Sequence, residues 1–134
     1  MKKILCVLLI FTFTFLISCG TDNFENNNGD GIMYKQISAE KAKSIMDSGE
    51  KHMILDVREQ NEYDASHIPG AILIPYTEIE NKAKDMLPDK NATILVYCRS
   101  GRRSKIASES LAKLGYTNVK EFGGIIDWEY EIVK

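Results

Sequence analysis

The run Thr93-Ile94-Leu95-Val96-Tyr97 is β-branched and apolar throughout, so as a strand it has no polar face to turn toward water. Such a strand is stable only inside a sheet covered on both sides, the usual condition of a parallel sheet between helices. Shorter runs of the same kind recur at Tyr34–Ile37, Met53–Val57, Ala71–Ile74 and Val119–Phe122, with the central one reaching Cys98. Helical patterns separate them. Residues 39–47 follow Ser38, a good N-cap, and are closed by Gly49. Thr77–Met86 and Arg103–Leu114 are the next two helices, with Gly115 behind the second and Ile106, Ala107, Leu111 and Leu114 as its apolar stripe. Gly124–Val133 reads as a C-terminal helix with Trp128 on its buried side. This alternation predicts an α/β domain over residues 34–134. Its central sheet would be mostly parallel, of about five strands, with helices on both faces and ligands beyond the carboxyl ends of the strands.

The N-terminus is of another kind. Lys2 and Lys3 precede an apolar run, Ile4 to Ile17, which falls short of the ~20 residues that span a bilayer as a helix but suits the core of a signal peptide. It ends in Leu16-Ile17-Ser18-Cys19-Gly20, which resembles a bacterial lipobox. That resemblance implies cleavage before Cys19 and attachment of a diacylglycerol to its thiol. Residues 1–18 are then a lipoprotein signal peptide and 19–33 the lipidated cysteine with a flexible tether, rich in Asn, Asp and Gly between Thr21 and Gly31. The expected location is outside the cytoplasm, in the cell envelope of a bacterium, with the membrane reached through the lipid anchor only.

Of three cysteines, Cys6 is lost with the signal peptide and Cys19 is acylated, which leaves Cys98 as a lone thiol. No intramolecular disulfide can form, and a solitary reactive thiol in an oxidising compartment is a hazard unless its reactivity is used. Seventeen basic against nineteen acidic residues give a net charge of -2, which argues against a nucleic-acid partner.

Cys98 ends the strongest strand and is followed by Arg99-Ser100-Gly101-Arg102-Arg103-Ser104 at the start of a helix. Gly101 permits a positive φ, and a tight loop of inward-turned amides at a helix N-terminus favours an anion at its centre. Three arginines where the helix dipole disfavours cations serve an anion better than they serve the helix. The same surroundings lower the thiol pKa. A fall of ~2 units would lift the thiolate fraction at neutral pH from ~3% to ~75%. After the accompanying loss of nucleophilicity, the net gain is only about threefold. The larger service of such a loop is to bind an anionic donor and hold negative charge on sulfur.

Three blocks resemble the rhodanese-like domains, single-domain sulfurtransferases, and the likeness runs from Tyr34 to Tyr130. They are Leu55-Asp56-Val57-Arg58-Glu59 with Glu62-Tyr63; Tyr63-Asp64-Ala65-Ser66-His67-Ile68-Pro69-Gly70-Ala71; and the cysteine loop, followed by Gly115-Tyr116, Gly123-Gly124 and Trp128. The resemblance implies that Cys98 is catalytic and accepts a sulfane sulfur as a persulfide. Thiosulfate or another persulfide would be the small anionic donor, and a thiol, a protein or cyanide the acceptor. Arg99, Ser100, Gly101, Arg102 and Arg103 would wrap the persulfide. Asp56 and Arg58 would support the active face, His67 would hold a structural turn, and Trp128 and Tyr130 would pack in the core. The tandem Arg102 and Arg103 suggest a strongly anionic donor such as thiosulfate.

The two histidines and the remaining thiol lack metal-ligand spacing, and nothing implies a cofactor. No Cys-x-x-Cys or nucleotide loop occurs. Two other functions compete: a rhodanese-fold binding or regulatory module without turnover, and a cysteine phosphatase or arsenate reductase. The latter enzymes use Cys-x5-Arg, whereas Arg103 stands at Cys-x4-Arg and the next position is Ser104. The shorter loop suits one sulfur atom better than a phosphate.

Overall fold

The computed structural model describes residues 24–28 and 31–134. Residues 1–18, expected to be a signal peptide, and Cys19 lie outside the described residues. The elements are β1 (Phe24–Asn28), β2 (Ile32–Gln36), α1 (Ala39–Asp47), β3 (His52–Asp56), α2 (Gln60–Ala65), β4 (Ala71–Leu73), α3 (Ile79–Met86), β5 (Thr93–Cys98), α4 (Arg102–Lys113) and β6 (Val119–Gly124). Short 3-10 turns cover Tyr76–Glu78 and Ile125–Asp127. The strands form one sheet in the order β1-β2-β6-β5-β3-β4. β1 is antiparallel to β2, and all the other neighbours are parallel.

Strand alternation divides the core in two. Leu55, Ile94, Val96, Cys98 and Val119 face Ile79 and Ala83 of α3 and Ala107 and Leu111 of α4. Ile54, Leu95, Tyr97 and Phe122 face the other way, toward Ala42 and Ile45 of α1 and toward Ile68 and Trp128. β5 supplies both layers, which is why its sequence has no polar face.

A buried ion pair organises the carboxyl ends of β3 and β5. Asp56 is fully buried and accepts from the Arg58 amide at 2.9 Å, from Arg58 Nε at 2.9 and 3.0 Å, and from Arg58 Nη2 at 2.6 Å. Tyr97 Oη donates to the same carboxylate at 2.7 Å and accepts from the Ile68 amide at 3.1 Å. Arg58 Nη2 also donates to the Ser66 carbonyl at 2.7 Å. Burial and the Asp56 charge push the Tyr97 phenol above its ordinary range, so it stays a donor. These contacts fix the turn Ser66–Ile68 against the sheet. His67 belongs to that turn: its ring stacks on Tyr63 with centroids 3.8 Å apart, its Nδ1 lies 2.9 Å from the Tyr63 carbonyl, and its backbone bridges Val133.

Several expectations are corrected. Phe24–Asn28, read as part of the tether, is instead a strand that pairs antiparallel with β2 from Phe24↔Gln36 to Asn28↔Ile32. α2 was not expected from hydrophobic period: it buries no residue and is held instead by a reciprocal Glu59–Glu62 capping box. The C-terminal helix is absent. Gly124 completes β6, and the chain then turns so that Val133 can pair with His67. Tyr130 is 38% exposed, edge-on against Trp128 with the Lys43 ammonium 5.6 Å from its ring centroid. On α4, Ile106 is 41% exposed, and the buried face carries Ser104 and Ser108 beside Ala107 and Leu111.

Replacing Tyr97 with Phe removes a donor from a carboxylate that no water reaches. We expect a loss of about 1–3 kcal/mol, read as a lower urea midpoint with unchanged slope. An unchanged midpoint would mean that the Arg58 contacts alone satisfy Asp56.

Candidate active site

β5 delivers Cys98 to the carboxyl edge of the sheet, where the chain turns through Arg99–Gly101 into α4. Gly101 is the helix N-cap with φ +100°. This conformation points its amide at the sulfur, 3.0 Å from Cys98 Sγ. The sulfur also lies 3.4 Å from Ser104 Oγ. Cys98 is only 1% exposed. Burial alone pushes the thiol up. Hydrogen bonds at Ser104 and from the amides of Gly101 and Ser100 outweigh that, and the thiol lies below its ordinary range.

β6 closes the site from the side. Cys98 pairs with Gly124 across a register irregularity. A Cβ on Gly124 would overlap the Arg99 carbonyl and stand 2.6 Å from Ser100 Cα, so only glycine lets β6 approach the loop this closely. The Ile126 amide donates to the Arg99 carbonyl at 3.3 Å, which anchors the loop from the same segment. Glu121, two residues before Gly123, is 3% exposed and turns inward on the Cys98 side of the sheet. Its Oε1 accepts from Ser104 Oγ at 2.6 Å and from the Gly123 amide at 2.8 Å.

The arginines are unequal. Arg99 and Arg102 are exposed. Arg103 is not free to meet an anion, as its sequence position suggested. Its Nη1 and Nη2 donate side by side to Glu62 at 2.7 and 2.8 Å, which ties the first turn of α4 to α2. The Arg103 hydrogen bonds hold Glu62 down to about 2 against the opposing effect of burial. Asp56 and Arg58 stand apart from the sulfur: Asp56 shares the Ile54 and Tyr97 face of the sheet, the face opposite Cys98. Glu121, Ser104 and Glu62 are the residues that sequence reasoning did not assign. The one available signal was an acidic residue at an inward position of Val119-Lys120-Glu121-Phe122.

A buried thiol faced by loop amides at a strand-to-helix turn of a mostly parallel sheet defines a class of protein: α/β domains with a cysteine loop at the carboxyl edge of the sheet. Residues 38–131 match the family description "Rhodanese-like domain", and the chain belongs to that family of single-domain sulfurtransferases. It is similar to the "Thiosulfate sulfurtransferase PspE" of Escherichia coli (strain K12), 44% identical over 73 residues, which are 54% of this chain and 70% of that protein. It is also similar to the "Putative sulfur carrier protein YrkF" of Bacillus subtilis (strain 168), 38% identical over 105 residues, 78% of this chain. The chain spans 56% of the length of that relative. Among solved structures, a rhodanese with anions from E. coli matches with TM-score 0.59 and 41% identity over 62% of this chain and 98% of its own. A rhodanese-related protein from Thermoplasma volcanium matches with TM-score 0.65 and 32% identity over 75% of this chain and 98% of its own.

Two outcomes are expected. In Gly124→Ala the loop is forced off β6 and the amides move from the sulfur. The pH midpoint of Cys98 alkylation should then rise toward the ordinary ~8.5, with a lower melting temperature; a midpoint that stays in place would show that the loop does not need β6. Glu62 has a folded value below its unfolded one, so the Arg103 pair contributes fully above about pH 4.5 and fades as pH falls toward 2. Urea midpoints followed across that window should fall less steeply in Glu62→Gln; parallel curves would mean that the pair adds no stability.

Proposed function

We propose that this protein is a sulfurtransferase that carries a sulfane sulfur on Cys98 as a persulfide, taken from thiosulfate or another persulfide and given to a thiol, with cyanide as the assay acceptor. The observation that carries the reading is the buried Cys98 thiol with the Gly101 amide 3.0 Å from its sulfur. A positive-φ glycine and a helix N-terminus supply that donor. In the first half-reaction the Cys98 thiolate attacks the outer sulfur of thiosulfate. The Sγ–S bond forms, the S–S bond of the donor breaks, and its electron pair leaves with sulfite. In the second, the acceptor attacks the outer sulfur of the persulfide and the electron pair of that S–S bond returns to Cys98. No general base is required once the thiol is ionised, and the loop amides stabilise charge on sulfur throughout. Arg99 and Arg102, both exposed at the loop, are the cations that draw in the donor.

The names of PspE and YrkF support sulfur transfer and sulfur carriage as the two forms this activity takes among relatives. The phosphatase alternative loses its needed cation, because Arg103 is one residue early and already paired with Glu62. We further propose that Cys19 carries the lipid anchor and that the domain acts outside the cytoplasm. The support is the Lys2-Lys3 start, the apolar run and the Leu16–Cys19 pattern.

The test is intact mass after incubation with thiosulfate. The native protein should gain one sulfur atom, lose it on addition of cyanide or a thiol, and the Cys98→Ser variant should gain none. Absence of any gain with thiosulfate and with a small-molecule persulfide would sink the reading and leave a binding module.

A further inference from the structure

The Ser104 hydroxyl touches more acceptors than it can serve. Its oxygen lies 2.6 Å from Glu121 Oε1, 3.0 Å from the Gly101 carbonyl, 3.4 Å from the Gly123 carbonyl and 3.4 Å from Cys98 Sγ. A hydroxyl has one proton and two lone pairs. The shortest of these contacts is the one to the carboxylate, and a charge-assisted bond of this kind is the strongest. With its proton turned to Glu121, Ser104 offers the sulfur a lone pair. In that state it accepts from the Cys98 S–H and donates nothing to a thiolate.

We propose that Glu121 is a positioning residue of the sulfur site: it claims the Ser104 proton, adds a buried negative charge two contacts from Cys98, and so restrains ionisation of the thiol. Forming the thiolate breaks the S–H bond, leaves the electron pair on sulfur and sends the proton to solvent. That places a second anion within about 6 Å of Glu121 through contacts of 3.4 and 2.6 Å. The amides of the loop favour the thiolate, and Glu121 opposes them. Of the other charged groups, Arg103 of α4, held by Glu62 of α2, interacts with Cys98 through its charge, and Arg99 and Arg102 are exposed on the adjoining loop. Glu121 is the acidic member on β6, it is buried, and it acts through a hydroxyl rather than by touching substrate. The inference deepens the sulfurtransferase reading and rests on it only in making the Cys98 thiolate the attacking group.

The experiment is the pH profile of iodoacetamide alkylation in the full-length protein, followed at the Cys98 peptide. Glu121→Gln keeps an acceptor for the Gly123 amide and removes the charge. Its midpoint should fall by on the order of one pH unit relative to the native protein, while Glu121→Asp, which keeps the charge, stays near the native value. A midpoint in Glu121→Gln that is unchanged or higher overturns the proposal. Should Glu121→Gln fail to fold, Ser104→Ala decides. It removes the lone pair that accepts from the Cys98 S–H, so its midpoint should lie at or below native; a higher midpoint would mean that Ser104 donates to the thiolate, and overturns the proposal. Alkylation needs no sulfur donor. A shift in midpoint together with no persulfide in the mass measurement would therefore sink the sulfurtransferase reading and leave the role of Glu121 standing.

Discussion

The carboxylate of Asp56 is the most demanding group in the molecule. It has no access to water, and a charge in that position is tolerated only when its lone pairs are met. Arg58 meets it three times from its own turn and Tyr97 once from the neighbouring strand. Satisfying it therefore fixes the register of β3 against β5 and holds the turn at Ser66–Ile68. A pair of this kind contributes little net stability compared with apolar filling. Its effect is to leave one arrangement of the strand ends acceptable.

That arrangement has its use on the other side of the sheet. Because successive residues of a strand face opposite ways, locking Tyr97 on one face sets Cys98 on the other. The sulfur then meets the loop after β5 and the first turn of α4, and the end of β6 pairs with the Cys98 backbone beside it. Gly124 lets the last of these come close enough, and Glu121 arrives with it. The site is thus a balance of opposed electrostatics, amides that welcome negative charge and a buried carboxylate that resists it.

Most of the architecture could be read from residue patterns, because the sheet is parallel and its strands carry their burial in plain view. Thr93–Cys98 and the helix starting after Ser38 are found where the patterns place them. What the patterns missed had no periodic signature. α2 is held by side-chain capping and buries nothing. The last ten residues are held by backbone bonds of Val133 with His67 and of Ile126 with Arg99 and by the Trp128 indole N–H on the Glu131 carbonyl, contacts that depend on the finished fold. At the site, cysteine and Gly101 were legible because a positive φ and a nucleophile each demand a particular residue type. The division of labour among the arginines was not. Whether Arg103 is free depends on Glu62, forty-one positions away and brought near only by packing.

The antiparallel strand at the start of the domain settles a matter of direction. β1 runs against the other strands, so Phe24 pairs with Gln36 at the carboxyl end of β2. That is the end of the sheet at which β5 presents Cys98. Phe24 accordingly stands at the same end of the sheet as the sulfur, and Cys19 precedes it by five residues, which limits their separation to at most about 18 Å. Anything fastened to that cysteine would hold the domain by its working end. The thiol would then lie on the side of the domain that faces the attachment, and the amino ends of the parallel strands would point away from it.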